Sequence, residues 1–295
     1  MTEIDSERGR LLRLAYRMLG SWSDAEDIVQ QSFERWYRLD ADDRAAIEQP
    51  AAWLTTVASR LCLTLLDSAR ARRERYVGPW LPEPIPAHVV PEPDPLDRVT
   101  LDDSVSMALL VVLESLTPAE RVSYILHEVF GVPYAQIADI VGRTPDAARQ
   151  AASSARRRVR SSRSRPTDSA EHTRLVTAFH TACMNGDLTG LIAVLDPNVV
   201  TVSDGNGLIG IAKRPVVGAE AVAHFLLGII SKPRWDTAIE PAEVNGTSGF
   251  ALVGSTPDGG RKVFGVVSLD VEAERIRAIW ITMNPDKLTA WESVR

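Results

Sequence analysis

Pro133-Tyr-Ala-Gln-Ile-Ala-Asp-Ile-Val-Gly142-Arg-Thr-Pro145-Asp-Ala-Ala-Arg149-Gln-Ala-Ala-Ser-Ser-Ala-Arg156-Arg-Arg-Val-Arg160 reads as two helices separated by a tight turn. Residues 134–141 give a short helix, and Gly142-Arg143-Thr144 gives the turn. Pro145 opens the second helix, where its missing N–H is no loss, and the Thr144 hydroxyl caps an orphan amide. In that second helix Ala148, Ala152, Ala155 and Val159 form a stripe small enough to pack closely on the preceding helix. Asp146, Arg149, Gln150, Ser153, Arg156, Arg157 and Arg160 then face outward. A short helix, a glycine turn and a second helix bearing long donors is the pattern of a helix-turn-helix. Arginine reaches guanine O6 and N7 bidentately, and glutamine pairs with adenine. The plainer reading is a solvated basic helix in a helical hairpin.

The net charge of −6 over 295 residues argues against a nucleic-acid partner until its distribution is examined. Residues 143–165 hold eight arginines against the single acid Asp146. Such a cluster neutralises phosphates whatever the whole-chain balance. The two cysteines, Cys62 and Cys183, lie far apart in no metal-ligand spacing, so buried thiols are expected, with no metal and no cofactor. No apolar run is long enough for a membrane and the N-terminus lacks a signal core, so a cytoplasmic protein is expected.

Upstream, Leu11, Leu14, Ala15 and Met18 repeat at helical spacing, with Gly20 as the stop. Ser23-Asp-Ala-Glu26 reads as a capping box opening a helix that buries Val29, Phe33 and Trp36. A third helix from about Pro50 places Leu54, Val57, Ala58, Leu61 and Leu65 on one stripe. Seven of the 18 prolines fall between positions 79 and 95, interleaved with acids, which reads as a stiff extended linker. Thr117-Pro-Ala-Glu120 is a second capping box, and Gly131 ends its helix. Beyond about 170 the texture changes. Helices at 171–184, 187–195 and 219–230 accompany β-branched runs at 199–203, 250–255, 262–271 and 276–283, which indicates a separate α+β domain.

The segment from Tyr16 to Phe33, Tyr-Arg-Met-Leu-Gly-Ser-Trp-Ser-Asp-Ala-Glu-Asp-Ile-Val-Gln-Gln-Ser-Phe, resembles region 2 of extracytoplasmic-function (ECF) RNA polymerase sigma factors. Residues 118–160 resemble their region 4. Trp80-Leu-Pro-Glu-Pro84 and Asn284-Pro-Asp-Lys-Leu288 look like the hallmarks of the subgroup with a fused C-terminal SnoaL-like domain (group forty-one, the SigJ type).

The resemblance implies a multidomain chain: region 2 at 1–76, a Pro-rich acidic linker at 77–101, region 4 at 102–165 and a SnoaL-like (nuclear transport factor 2-like) α+β cone at 170–295. It implies a sigma factor that directs core polymerase to promoters, regulated in cis by its fused domain, and not an enzyme. Asp24, Glu26, Asp27, Gln30 and Phe33 would dock on the β′ coiled coil, and region 4 would meet the β flap. Arg60, Arg70, Arg72, Arg73 and Arg75 would hold the −10 element, with the polar loop 38–49 receiving a flipped base from the melted strand. Thr144, Arg149, Gln150, Ser153, Arg156, Arg157 and Arg160 would bind the −35 duplex. Trp80, Asp204, Asn284, Asp286 and Lys287 would make regulatory contacts. Ser203-Asp-Gly-Asn-Gly207 stands where the subgroup has a DGGGK-type motif, with Asn206 for a glycine and Leu208 for the lysine.

Two other readings compete: a helix-turn-helix regulator independent of polymerase, and a SnoaL-like cyclase or isomerase with accessory helices. The region 2 stretch weighs against the first. Against the second, His180, His224 and Asp204 form no legible acid–base pair. A small ligand in the C-terminal domain is the remaining partner considered.

Overall fold

The computed structural model describes residues 4, 6–73, 76–89, 105–162, 168–207, 211–231, 237–256 and 259–292. The chain divides into two compact units. The first takes its described residues from 1–75 and 109–162, and the second from 76–89, 105–108 and 163–295.

The first unit is helical. Helix α1 (Glu7–Leu19) ends at Gly20, whose φ of 68° lets its N–H turn back to the Tyr16 carbonyl. Helix α2 (Trp22–Arg38) begins earlier than the Ser23 capping box suggests. Its N-cap is Ser21, in an extended conformation, accepting from the Asp24 amide. Trp22 is buried edge-on against Tyr16, and that packing fixes where the helix starts. Within α2, Val29 and Trp36 are buried while Phe33 is only half-buried. The polar segment 38–49 is not all loop: it contains α3 (Ala41–Ala46), capped by Asp40. In α4 (Pro50–Arg73) the core stripe is Leu54, Ala58, Cys62 and Leu66, so Leu61 and Leu65 sit at its margin.

Helix α5 (Met107–Glu114) leads to α6 (Pro118–Tyr124), whose Thr117 and Glu120 complete the reciprocal capping box. The chain continues through one π turn, Ile125–Val129, before Gly131. Helices α7 (Tyr134–Val141) and α8 (Pro145–Ser162) follow. At the turn between them Gly142 has φ 64°, and the amides of both Gly142 and Arg143 point to the Ala138 carbonyl. Nothing lies within 4 Å of a Cβ built there, so glycine is needed for the dihedral and not for space. Ala148, Ala151, Ala152, Ala155 and Val159 are the buried residues of α8.

The second unit is a six-stranded sheet with helices α9 (Ser169–Asn185), α10 (Leu188–Val194) and α11 (Ala219–Ile230) packed against it. The strands are β1 (Leu195–Asp204), β2 (Val216–Val217), β3 (Thr237–Val244), β4 (Thr247–Ser255), β5 (Arg261–Glu272) and β6 (Arg275–Thr282). Their order is β2-β1-β6-β5-β4-β3, with β1 and β6 parallel and every other pair antiparallel. Register shifts in the β1–β6, β4–β5 and β5–β6 pairs mark bulges, which curve a sheet. The curvature leaves an apolar cavity of about 70 Å³ among Phe179, Leu226, Phe250, Leu252, Ile281 and Met283.

Residues 76–89 belong to this second unit, although 79 and more positions separate them from its helices and strands. Leu81 to Pro86 are buried without a break. Pro86 bridges to Val244, and the amide of Asn245 donates to the Ile85 carbonyl at 2.9 Å. The proline-rich stretch is therefore, in its described part, a strap bound to the sheet. Its remainder, 90–101, lies outside the described residues.

Candidate functional site

The parallel pairing of β1 with β6 sets Asp204 beside Thr282, at the carboxyl end of both strands. The Asp204 carbonyl accepts from the amides of Met283 (2.7 Å) and Asn284 (3.1 Å), which fixes the start of the C-terminal tail. The Asp204 side chain is fully buried. Its Oδ2 accepts from the Leu81 amide at 2.9 Å and from Lys287 Nζ at 2.7 Å, and its Oδ1 accepts from the Tyr76 hydroxyl.

Lys287 is also buried and donates to the Leu81 carbonyl. Its ammonium sits 3.9 Å from the centroid of the Trp80 ring and 5.2 Å from that of Tyr76. One buried pair of opposite charges is thus wrapped by a main-chain amide, a carbonyl, a phenol and two aromatic faces, which is what keeps buried charges tolerable. Asn284 Nδ2 donates to the Tyr76 oxygen at 2.9 Å. Burial, and then the hydrogen bond to Asp204, raise the Tyr76 pKa and hold its phenol neutral.

The strap is fastened a second time by Trp291, whose Nε1 donates to the Pro84 carbonyl at 2.8 Å. The backbone of Asn206 and Gly207, at φ 49° and 68°, makes the tight loop after Asp204. A Cβ at Gly207 would come within 2.8 Å of Val77, so the strap closes over that loop as well.

Of the residues singled out for regulatory contacts, Trp80, Asp204, Asn284 and Lys287 are brought together here. Asp286 is not. It lies at the surface and contributes its amide to Asn284 Oδ1. Leu81 and Pro84, from the Trp80–Pro84 motif, enter the site through their backbone, and Tyr76 and Trp291 complete it without having been picked out from sequence.

In the first unit, Glu26, Asp27 and Gln30 are exposed along α2 and Asp24 and Phe33 are half-buried. Tyr37, 55% exposed, stacks on Phe33 one turn further on and extends the same face. Arg60 is exposed on α4. The side chains of Arg70, Arg72, Arg73 and Arg75 lie outside the described residues.

On α8 the Thr144 hydroxyl accepts from the Ala147 amide at 3.2 Å. Gln150, Arg157 and Arg160 are exposed and Ser153 is half-buried. Three of these arginines are engaged by the protein, Arg157 only by a 3.4 Å bond to Ser153 Oγ. Arg149 lies over the Tyr134 ring at 5.3 Å, and that ring is stacked on His127. Arg156 makes a two-pronged bond to Glu128, a hydrogen bond that raises its pKa.

Arg156 therefore has its planar fork engaged, whereas Arg149 keeps its donors. On the expectation that α8 binds a DNA duplex, Arg149→Ala costs about 1–3 kcal/mol of base discrimination and relaxes specificity at one position. Arg156→Ala should weaken binding by less and without regard to sequence. Binding isotherms on a promoter library over a salt series separate the two outcomes.

The remaining titratable candidates are structural in their contacts. His180 Nε2 meets the Ile239 carbonyl at 3.1 Å, with its ring stacked on Phe250, and His224 Nδ1 meets the Glu220 carbonyl. Cys62 and Cys183 are buried free thiols; burial pushes the Cys183 pKa up to about 12 and raises that of Cys62 as well.

Two helical modules, the second a helix-turn-helix, thus accompany a sheet domain that binds a proline-rich strap. Residues 4–72 match the Sigma-70 region 2 family, and residues 106–159 match Sigma-70, region 4. The chain is similar to the ECF RNA polymerase sigma factor SigJ of Mycobacterium tuberculosis, with 37% identity over 98% of this chain and 93% of that one. It is similar also to the probable ECF RNA polymerase sigma factor SigI of the same species, with 39% identity over 96% of this chain and 92% of that one. The crystal structure of Mycobacterium tuberculosis SigJ superposes with a TM-score of 0.76 at 35% identity, covering 98% of both chains. The chain belongs to the ECF RNA polymerase sigma factors.

It is thus a sigma factor with a C-terminal regulatory domain, and it acts in transcription initiation by binding core polymerase and promoter DNA. Among the described residues no helix is long and apolar enough to cross a membrane.

Proposed function

We propose that the acidic face of α2, with Asp24, Glu26, Asp27, Gln30 and Phe33, docks on the polymerase β′ coiled coil, while region 4 meets the β flap. Acidic side chains in the first turns of a helix suit its dipole and a basic partner alike. Arg60 and the arginines at 70, 72, 73 and 75 take −10 phosphates, and segment 38–49 receives the flipped base of the melted strand. Thr144, Arg149, Gln150, Ser153, Arg156, Arg157 and Arg160 face the −35 duplex. These roles place the protein in the cytoplasm with its polymerase.

The C-terminal domain regulates through the strap and does no chemistry of its own. One observation carries this reading: residues 81–86, which join the two promoter-reading modules in sequence, are buried in the sheet domain. Whatever moves the Asp204–Lys287 pair moves the connection between −10 and −35 recognition. The apolar cavity of about 70 Å³ supports a compact apolar ligand as one such influence.

Replacing Asp27 and Gln30 together by alanine should weaken binding to core polymerase by about tenfold, or about 1.4 kcal/mol, with the circular dichroism spectrum unchanged. Wild-type affinity for core in a pull-down titration would refute the docking face.

A further inference from the structure

The π turn at Ile125–Val129 carries one residue more than a turn of α-helix, and so displaces everything beyond it. Its two consecutive side chains His127 and Glu128 serve two arginines of α8. Glu128 takes the fork of Arg156 directly. His127 reaches Arg149 by way of a ring. It stacks on Tyr134 with centroids 3.9 Å apart, and the guanidinium of Arg149 lies over Tyr134, 5.3 Å from the ring centre.

The supporting parts are themselves fixed. His127 Nδ1 lies 3.1 Å from the Val132 carbonyl, and the Val132 amide donates to the Leu126 carbonyl at 2.9 Å. Tyr134 is the first residue of α7, behind Pro133, whose ring locks one backbone dihedral. Oxygen acceptors thus occupy Arg156. An aromatic face attracts a cation but supplies no oxygen, so Tyr134 locates Arg149 while leaving its donors for a base edge. An arginine on a helix surface otherwise samples many rotamers, and settling one before DNA arrives removes that ordering cost from binding.

We infer that Tyr134, backed by His127, is the positioning residue for Arg149, and so sets how sharply one base of the −35 element is discriminated. The inference rests on the proposed placement of Arg149 at the −35 duplex. It requires no contact between Tyr134 and DNA. The ring acts only through the guanidinium.

The test uses the full-length chain assembled with core polymerase. A duplex library randomised across both promoter elements is enriched on the wild type, and the selected duplex with its single-base −35 variants supplies the probes. The readout is the ratio of affinities for the selected and the substituted base. Both come from one protein sample, so a smaller folded fraction cancels.

Tyr134→Leu should lower that ratio about two- to fivefold at the base that Arg149→Ala also relaxes, the range expected of one cation–π contact. Tyr134→Phe should keep the wild-type ratio, because it keeps the ring, and so should His127→Phe. In an Arg149→Ala background, Tyr134→Leu should change nothing further.

A wild-type ratio in Tyr134→Leu, beside a lowered one in Arg149→Ala, would overturn the positioning role alone. Equal weakening on every probe, or further loss in the Arg149→Ala background, would overturn it too, since the ring would then act on DNA or on the fold. An unchanged ratio in Arg149→Ala would remove the −35 placement of Arg149 and this inference with it.

Discussion

Replacing Lys287 with methionine is expected to destabilise the C-terminal unit by about 3–5 kcal/mol, the usual cost of removing one member of a buried ion pair. The loss comes from what stays behind. Asp204 would stay at zero exposure without its cation, left with only the Leu81 amide and the Tyr76 hydroxyl as partners. The Leu81 carbonyl would lose its donor, and the Trp80 face its cation.

For a domain of this size the midpoint of thermal unfolding should fall by roughly 6–20 °C. Adding Asp204→Asn to Lys287→Met should recover much of the loss, because the amide oxygen still accepts and no buried charge remains. A double variant less stable than Lys287→Met alone would contradict this account. Release of the strap should also change run-off activity, while binding to core polymerase stays as it was.

The second large effect is expected at Arg121. Its guanidinium is buried between α5, α6 and the end of α1, pairing with Glu114 at 2.7 Å and donating to the carbonyls of Leu113 and Met18, both at 2.9 Å. Burial pulls its pKa down to about 9, the mark of a charge held at a desolvation cost. Arg121→Met fits the volume but abandons two carbonyls and a carboxylate. A loss of about 3–5 kcal/mol should follow in urea unfolding of the first unit. Arg121→Lys should rescue only part of it, since a single ammonium cannot span the three acceptors as the planar fork does. If Arg121→Met unfolds at the wild-type urea concentration, the pair is not structural.

The parts that were legible in the sequence are those with local punctuation. Gly142, Thr144 and Pro145 announce a turn whose geometry follows from three residues, and the alanine stripe of α8 follows from its period. Thr117 and Glu120 announce their cap in the same way. Where a tertiary contact decides, local reading fails. Trp22 packs on Tyr16, so α2 starts at Ser21 and not at Ser23. Cys62 and Leu66, beside the expected Leu61 and Leu65, proved to be the core side of α4.

Strand β3, Thr-Ala-Ile-Glu-Pro-Ala-Glu-Val, carries a proline and two glutamates and reads as no strand. Its pairing along the whole of β4 makes it one. At the site, Trp80, Asp204, Asn284 and Lys287 stood in recognisable motifs. Tyr76 and Trp291 did not, because bonds spanning 128 to 207 positions leave no periodic trace. A tryptophan three residues beyond the last motif was the one signal that might have been followed.

The strap also has a meaning in time. Its lysine partner is made 206 residues after Leu81. At roughly 5–20 residues per second, a ribosome needs about 10–40 s to cover that distance. During that interval regions 2 and 4 emerge in full, while Leu81 and Ile85 wait without the sheet that will bury them. Until then the strap of each new chain has no sheet to bind, and a chain cut short before residue 284 lacks the Asn284, Lys287 and Trp291 side chains that fasten it.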